Sequence, residues 1–430
     1  MSTFLSILPI IIALVLYFTG IPIAYALFAA ALTYFGFIDT TTVPYLLMQK
    51  FITSTQSFPF LAIPFFIMCG SIMNYGGISA RLMDFADALT GHLPGGLAQI
   101  NVLLSMLMGG CSGSANADAA MEAKMIVPEM ERLGYSKGFS CAVTAASSAI
   151  TAIIPPGIIL ILYATAANES VAKMFYGGYI PGALLCIALM VTVYIISKRR
   201  KYKPSREHIG SPTEIWSAFK DSFWALLIPF GILMGLRGGM FTPTEAGAVC
   251  IVYSIFVGAV IYRELKLKDL IPILKESLVA TAGVMFILAG ANGLSSYLTW
   301  ESLPQRVTAL IIDVCHNQWQ FLLLVNVLLL VIGCFFDAGA AMILCAPLLV
   351  PAAQSFGLNL IHFGIVMCVN LQFGGFTPPF GAMMFITTSV TDTPVQDYIK
   401  EIWPFLLASV ACLMLFTYVP DIVMFLPNIL

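Results

Sequence analysis

The chain has 430 residues, of which 59% are hydrophobic and only 10% are charged. Soluble globular proteins carry about 25% charged residues, so this composition is that of an integral membrane protein. The net charge of −2 does not point to nucleic acid, and the absence of a nucleotide-binding loop excludes an ATP-driven pump made of this chain alone.

Apolar runs that are able to cross a bilayer as helices recur along the whole chain. They occupy residues 4–19, 22–37, 139–154, 174–196, 223–236, 246–261, 321–336 and 405–419. The first run has no basic residue before it and no small-residue cleavage site after it, so we do not expect a cleaved signal peptide. The ten cysteines form no C-x-x-C pair, which favours small buried side chains over a metal site.

Two adjacent proline pairs interrupt apolar runs at positions 223 residues apart, Pro155-Pro156 and Pro378-Pro379. The same offset, without a gap, pairs Pro128 with Pro351, Pro181 with Pro404 and Gly134 with Gly357. Self-similarity at one fixed offset indicates repeated structural units. We therefore predict a first repeat at residues 1–205, a cytoplasmic linker at 206–223 and a second repeat at 224–430.

The basic residues predict that the two repeats have opposite orientations. Three segments rich in Lys and Arg (residues 131–137, 198–206 and 262–269) have counterparts 223 residues away without a basic residue. Because cytoplasmic loops hold the excess of Lys and Arg, paired loops should lie on opposite sides of the membrane. We expect an all-α polytopic membrane protein whose inverted repeats each have about five transmembrane helices and one re-entrant hairpin, with both termini in the periplasm.

Each half also contains a short cluster of small and polar residues between apolar arms, "SGSANAD" in the first and "DAGAA" in the second. Arms such as 97–108 and 119–127 are too short to cross a bilayer at 1.5 Å per residue. We predict re-entrant helical hairpins at about 96–130 and 319–353. Broken helices should follow at about 138–167 and 361–390, with the proline pairs as the structural breaks.

The hairpin tips and the proline breaks are predicted to meet near the membrane midplane. Irregular backbone survives there only inside protein or beside water, and inverted-repeat transporters use such breaks to bind ions. Sodium prefers oxygen ligands. The first predicted sodium site comprises Ser112, Gly113, Asn116, Ser147, Ser148 and Thr151, and the second comprises Asp337, Gly339, Asn370, Gly374 and Thr377. The alternative is that each hydroxyl group bonds back to its own helix.

Carboxylates inside a membrane are functional by default, and Asp337 is the strongest candidate because apolar residues surround it. Asp118 and Glu122 lie one helical turn apart, but their counterparts in the second half are not acidic, so we expect them outside the symmetric site. Glu245 is expected to form a structural capping box with Thr242.

Over essentially its full length the chain resembles the large membrane subunit of tripartite ATP-independent periplasmic (TRAP) transporters. The segments that carry the resemblance are "FTGIPIAYAL", "GGCSGSANADAA", "VPEMERLGYSKGFSCAVTAASSAITAIIPPG", "GGMFTPTEAGA" and "FGGFTPPFG". The resemblance implies an elevator-type, Na+-coupled symporter of the bacterial inner membrane. Its substrate would be an organic acid such as sialic acid or a C4-dicarboxylate.

The resemblance also implies two partners, a small four-helix membrane subunit and a periplasmic substrate-binding protein. Its matching sites are the two tips and the two proline breaks, where the predicted substrate-binding residues are Ser114, Asn116, Gly157, Thr377 and Gly381. Three alternatives stay open at this point: an ion-coupled carboxylate carrier that needs no binding protein, an anion channel, and an intramembrane enzyme. The last lacks a recognisable nucleophile and base.

Overall fold

The protein, described here from a computed structural model, is helical throughout the part that the structure describes, residues 3–38, 44–110, 112–206 and 208–430. The helices of the first half are α1 (Thr3–Phe18), α2 (Ile23–Thr33), α3 (Pro44–Ser54), α4 (Ala62–Tyr75), α5 (Ile78–Thr90), α6 (Gly96–Gly109), α7 (Ala115–Met125), α8 (Val127–Arg132), α9 (Lys137–Ile153), α10 (Ile158–Ala166) and α11 (Val171–Arg200). Those of the second half are α12 (Pro212–Arg237), α13 (Pro243–Phe256), α14 (Leu270–Trp300), α15 (Leu303–Val314), α16 (Gln318–Phe335), α17 (Ala338–Ser355), α18 (Leu360–Gly374), α19 (Ala382–Val390), α20 (Val395–Tyr418) and α21 (Pro420–Ile429).

The prediction of an all-α polytopic membrane protein is confirmed. Among the described residues, eight helices are long and apolar enough to cross a membrane, or nine if α9 and α10, which are bent by 48° at their junction, form one span. This count does not test the prediction of about five spans in each repeat, because it includes α16 and α17, which were predicted to form a hairpin, and leaves out apolar helices shorter than 18 residues. Examples are Leu8–Phe18 and α18.

The helices of the two halves begin at positions that agree with the 223-residue offset. Helix α9 begins at Lys137 and α18 at Leu360, and single π-helical turns occupy Tyr34–Ile38 and Val257–Ile261. These bounds support a structural repeat. The inverted orientation of the repeats and the division of the chain into two repeats and a linker stay predictions. The loop at residues 39–46 is the counterpart of 262–269, and its residues 39–43 lie outside the described residues.

The second part of the predicted linker is helical. Helix α12 begins at Pro212, where Ser211 and Glu214 form a capping box by exchanging hydrogen bonds with each other's backbone N–H. At the start of the linker, Arg206 Nε lies 2.5 Å from Asp87 Oδ2 on α5. The predicted box of Thr242 and Glu245 at the start of α13 is confirmed.

The two predicted hairpins have different arm lengths. Helices α6 and α7 have 14 and 11 residues, and at 1.5 Å per residue even α6 is only about 21 Å long. Helices α16 and α17 have 18 residues each, long enough by length and composition to cross a membrane. Only Phe336 and Asp337 separate them. The arms of the first hairpin are therefore too short to cross a membrane, as predicted, whereas those of the second are not. That the second hairpin enters and leaves the membrane on the same side stays a prediction.

Both proline pairs lie at helix breaks. Helix α9 ends at Ile153 before Pro155-Pro156, and α18 ends at Gly374 before Pro378-Pro379. The chain then continues as α10 and α19. Helices α9 and α18 form the centre of the molecule, because the side chains of residues 138–153 and 361–374 are all buried. The breaks therefore lie beside the best-packed part of the structure.

Gly374 brings the end of α18 directly against α16. A Cβ atom at this position would lie only 2.3 Å from the backbone carbonyl carbon of Gly333, and backbone atoms have no room to move aside. The glycine is therefore required by packing, whereas a Cβ at Gly231 in α12 would meet nothing within 4 Å.

We predict that Gly374→Ala lowers the free energy of unfolding by about 1–3 kcal/mol, because the added methyl group overpacks a backbone contact. The matched variant Gly231→Ala should leave it unchanged or raise it slightly, since alanine favours helix. Thermal unfolding of both variants in detergent measures the difference. An equal melting temperature for the two variants would contradict the close packing of α16 on α18.

Candidate functional site

The two hairpin tips and the two helix breaks line one cavity of about 150 Å³. Residues 113–116 come from the first tip and residues 337–340 from the second. Helices α10 and α19, which follow the proline pairs, contribute Ile158 and Ala382, while α14 closes another side of the cavity. Segments that are far apart in sequence thus meet at one place.

The first residues of four helices line this cavity. They are Ala115 of α7, Ile158 of α10, Ala338 of α17 and Ala382 of α19. The first turn of a helix carries the positive end of the helix dipole and backbone N–H groups that have no partner within the helix. Some of these N–H groups already donate to other parts of the protein, since Ile158 N–H donates to the Gly113 carbonyl oxygen at 3.2 Å and Met383 N–H to the Gly375 carbonyl oxygen at 2.8 Å. Four such ends around one cavity create an environment that favours a bound anion.

A hydrogen bond joins the two tips across the cavity. Asn116 Nδ2 donates to Asp337 Oδ2 at 3.0 Å, and the other carboxylate oxygen of Asp337 accepts from the Gly339 N–H, also at 3.0 Å. The Asp337 side chain is exposed, so water or an ion is able to reach it. Asn116 and Asp337, predicted in different sodium sites, are therefore direct neighbours.

The first tip is seated on the first proline break through its backbone. Gly113 has a φ of +62°, and its carbonyl oxygen accepts a hydrogen bond from the Ile158 N–H at 3.2 Å. A Cβ atom on Gly113 would lie 2.4 Å from the Pro156 carbonyl oxygen. Only glycine fits both this conformation and this contact.

The predicted hydroxyl ligands on α9 lie behind the cavity and do not line it. Ser147 and Ser148 donate to the Thr144 carbonyl oxygen at 3.1 and 2.7 Å, and Thr151 donates to the Ser105 carbonyl oxygen at 3.0 Å. All three predicted ligands are fully buried. The two serines thus follow the alternative of bonding to their own helix, although a hydroxyl oxygen that donates is still able to accept or to coordinate a cation.

Two buried carboxylates, which the sequence argument placed outside the site, adjoin these hydroxyl groups. Ser112 Oγ donates to Asp118 Oδ1 at 2.8 Å, and Ser105 Oγ lies 2.9 Å from both carboxylate oxygens of Glu122. Ser148 Oγ approaches Glu122 Oε2 at 3.4 Å. Both residues are carboxylates inside a membrane protein and so were candidates from the sequence. They were expected outside the symmetric site only because their counterparts in the second half are not acidic.

The residues of the predicted second sodium site lie partly in the lining of the cavity and partly buried away from it. Asp337 and Gly339 line the cavity, whereas Asn370 is fully buried and donates to the backbone and side-chain oxygens of Asn326 at 2.9 and 2.8 Å. Thr377 donates to the Phe373 carbonyl oxygen at 2.6 Å, within its own helical turn. Gly374 packs on α16 as described above.

Three of the predicted substrate-binding positions stand beside the cavity rather than in its lining. Gly157 and Gly381 directly precede the lining residues Ile158 and Ala382, and Thr377 precedes the second proline pair. Ser114 and Asn116 line the cavity itself.

Further lining residues were missed by the sequence argument. Val284 and Ile287 of α14 and Met383 of α19 are apolar side chains in apolar helices, so no sequence signal marks them. Gln372 and Gly375, also in the lining, precede the second proline pair, and their polar or small character is a signal that could have identified them.

The oxygen atoms around the breaks suit a hard monovalent cation. Asp118 Oδ2 and Asn370 Oδ1 are buried acceptors without a hydrogen-bond partner among the described residues. An unpaired buried acceptor costs free energy that a cation would offset. In the described part of the chain no three His, Cys, Asp or Glu residues cluster as a transition-metal site would require. The donor set therefore fits sodium.

Comparison with known proteins identifies relatives along almost the whole chain. The family model described as "Tripartite ATP-independent periplasmic transporter, DctM component" matches residues 10–422. The chain is 37% identical over 421 residues to the sialic acid TRAP transporter permease protein SiaT of Haemophilus influenzae, covering 98% of this chain and 68% of that protein. It is 38% identical over 379 residues to the C4-dicarboxylate TRAP transporter large permease protein DctM of Pseudomonas aeruginosa, covering 88% of each.

Solved transporter structures share the fold at much lower identity. The Alcanivorax borkumensis YdaH transporter superimposes with a TM-score of 0.61 at 14% identity, covering 96% of this chain and 97% of that one. The Neisseria gonorrhoeae MtrF structure gives a TM-score of 0.53 at 12% identity, covering 87% of this chain and 84% of that one. Both similarities concern the fold alone.

We predict that Asn116→Ala loosens both tips at once, because it removes the hydrogen bond that joins them. Hydrogen exchange of the backbone amides in residues 112–118 and 337–341 should become severalfold faster, as expected for losing about 1 kcal/mol. Peptide-resolved mass spectrometry measures both segments in one experiment.

A matched control is Asn359→Ala, which removes the cap of α18, since Asn359 Oδ1 accepts from the Ile361 N–H at 2.9 Å. It should affect only the first turn of α18. If Asn116→Ala accelerated exchange in the first tip and not in the second, the two tips would not be coupled by this bond.

Proposed function

The chain belongs to the DctM-component family of tripartite ATP-independent periplasmic transporters, and we propose that it imports an organic acid anion by sodium-coupled symport. It is a secondary transporter rather than an enzyme, and a multi-pass protein of the inner membrane. The substrate class we propose is a sialic acid or a C4-dicarboxylate, the acids named for the related SiaT and DctM permeases.

The observation that carries the proposal is the convergence of four helix N-termini on one cavity between the tips. A substrate carboxylate there would be stabilised by the four helix dipoles and would accept hydrogen bonds from those first-turn N–H groups that do not already donate within the protein. Among the described residues that line this cavity, Asp337 supplies the only negative side chain. A sodium ion next to Asp337 would offset its repulsion of the substrate.

Coupling to sodium gives the transport its direction. Moving one charge through 100 mV is worth about 2.3 kcal/mol, and the cytoplasm is negative. An anion with one charge would be driven out of the cell, whereas the same anion with two sodium ions carries net positive charge inward. Two sodium sites, one at each proline break, would provide this stoichiometry.

The proposed transport step is an elevator movement of the hairpin-bearing unit against a scaffold. Asn116 and Asp337 join the two tips, and Gly113 joins the first tip to the first break. At the second break, Gly374 packs against Gly333 of α16, so these elements are able to move as one body. Helix α14 faces the cavity from the other side through Val284 and Ile287 and would belong to the scaffold.

Family membership implies a small membrane subunit and a periplasmic binding protein as partners. We propose a separate four-helix subunit packed on the scaffold, and a binding protein that delivers the acid from the periplasm, where both termini of this chain would lie. The alternative is a self-sufficient ion-coupled carboxylate carrier, which would need no binding protein.

Uptake into proteoliposomes tests the proposal and its alternative together. The chain and its small subunit would be reconstituted under an inward sodium gradient, with radiolabelled N-acetylneuraminate or succinate and with the cognate binding protein added or withheld. We expect uptake that requires both sodium and the binding protein. Uptake without the binding protein would favour the self-sufficient carrier, and uptake independent of sodium would contradict symport.

We predict that Asp118→Asn weakens sodium binding at least tenfold, since it removes a buried carboxyl group that could carry the charge opposite to sodium and whose second oxygen has no partner among the described residues. A tenfold loss corresponds to about 1.4 kcal/mol. The readout is the sodium concentration that gives half of the maximal rise in melting temperature, with choline keeping the ionic strength constant.

The control is Asp397→Asn on α20, which removes an exposed carboxylate that is paired with Lys400 at 3.0 Å. This variant should respond to sodium like the wild type. An unchanged half-maximal concentration for Asp118→Asn would exclude Asp118 from the sodium site.

A further inference from the structure

A second cavity, of about 340 Å³, adjoins the cavity between the tips. We propose that it receives the uncharged, hydroxylated end of a long organic acid and thereby sets the size of substrate that the transporter accepts. This inference rests on the proposed function and assigns a second part to its substrate site.

The two cavities are arranged end to end. Leu162 of α10 and Ile343 of α17 line both. Along α10, α14 and α17 alike, the residues that line the first cavity precede those that line the second. On α14 the lining passes from Ile287 in the first cavity to Ser295 in the second, and eight residues of helix correspond to about 12 Å. An elongated ligand is therefore able to lie along these helices with one end in each cavity.

The two cavities differ in the polarity of their linings, as the charged and uncharged ends of a sugar acid would require. The first contains helix N-termini and Asp337. In the part of the chain that the structure describes, the second has no ionisable residue in its lining and presents five uncharged polar residues. These are Thr53, Ser57, Thr165, Asn292 and Ser295. A carboxylate suits the first environment, and a chain of hydroxyl groups suits the second.

These polar groups are able to accept hydrogen bonds from a ligand. Thr53 and Thr165 donate their hydroxyl hydrogens to carbonyl oxygens of their own helices at 2.9 and 2.8 Å, which leaves oxygen lone pairs free to accept. Asn292 donates through Nδ2 to the Leu288 carbonyl oxygen at 3.0 Å, which leaves its amide oxygen available. Substrate hydroxyl groups would act as donors here.

The volumes lead to the same assignment. Small-molecule sites typically enclose about 300–1,000 Å³. The first cavity is below that range and suits a short acid, whereas the two cavities together lie within it. A four-carbon dicarboxylate would need only the first cavity, and a nine-carbon sugar acid would need both.

The test fills the second cavity and compares a long acid with a short one. Ser295→Leu adds bulk to the lining, and Ser296→Leu is the matched control because Ser296, the next residue on α14, lines neither cavity. Asn292→Ala, which removes an acceptor without adding bulk, is a second variant in case Ser295→Leu does not fold. The assay is the rise in melting temperature of the chain with its small subunit at saturating sodium, titrated with N-acetylneuraminate or with succinate.

We expect Ser295→Leu to weaken N-acetylneuraminate binding at least tenfold and Asn292→Ala to weaken it severalfold. Both variants should bind succinate within twofold of the wild type, and Ser296→Leu should bind both acids normally. Equal losses for the two acids, no loss for N-acetylneuraminate, or a wild type that binds only succinate would overturn the inference. All three outcomes leave the proposed function standing, whereas a wild type that responds to neither acid nor to sodium would contradict that function as well.

Discussion

Backbone groups freed inside an apolar bundle must find partners, and this requirement organises the site. Each proline pair ends a central helix where water is scarce, and an unsatisfied group there costs several kcal/mol. The structure supplies partners from other elements. Gly113 of the first tip accepts from the Ile158 N–H, and in the second half the buried Tyr398 hydroxyl donates to the Phe376 carbonyl oxygen at 2.7 Å. The hydrogen bonds that pair the free backbone groups at the breaks thus hold the neighbouring elements in place.

The same breaks place helix N-termini on one side and buried oxygen atoms on the other. Restarting helices after the prolines and after the tips directs four N-termini at one cavity, while buried oxygen atoms collect on the central helices behind it. Asp118 and Glu122 add carboxyl oxygen atoms to this group, where Ser105, Ser112 and Ser148 hydrogen-bond to them. An anion in the cavity and cations behind it would stabilise each other, and this would be the physical basis for the coupled movement that we propose.

Much of this arrangement could be predicted from the sequence because its signals are local. A pair of prolines indicates a helix break, and a short cluster of small polar residues between apolar arms indicates a hairpin tip. Other features depend on tertiary contacts. The hydroxyl groups of Ser147 and Ser148 are partly used by their own helix, and the apolar Val284 and Ile287 differ in no visible way from lipid-facing residues. The second cavity arises from the spacing of α10, α14 and α17, which no short pattern encodes.

The most direct measurement is an electron cryomicroscopy structure of the chain with its small subunit, sodium and N-acetylneuraminate. The account predicts the substrate carboxylate at the first turns of α7, α10, α17 and α19, with sodium density at both proline breaks. A substrate bound outside the two tips, or breaks that hold no cation at saturating sodium, would contradict it.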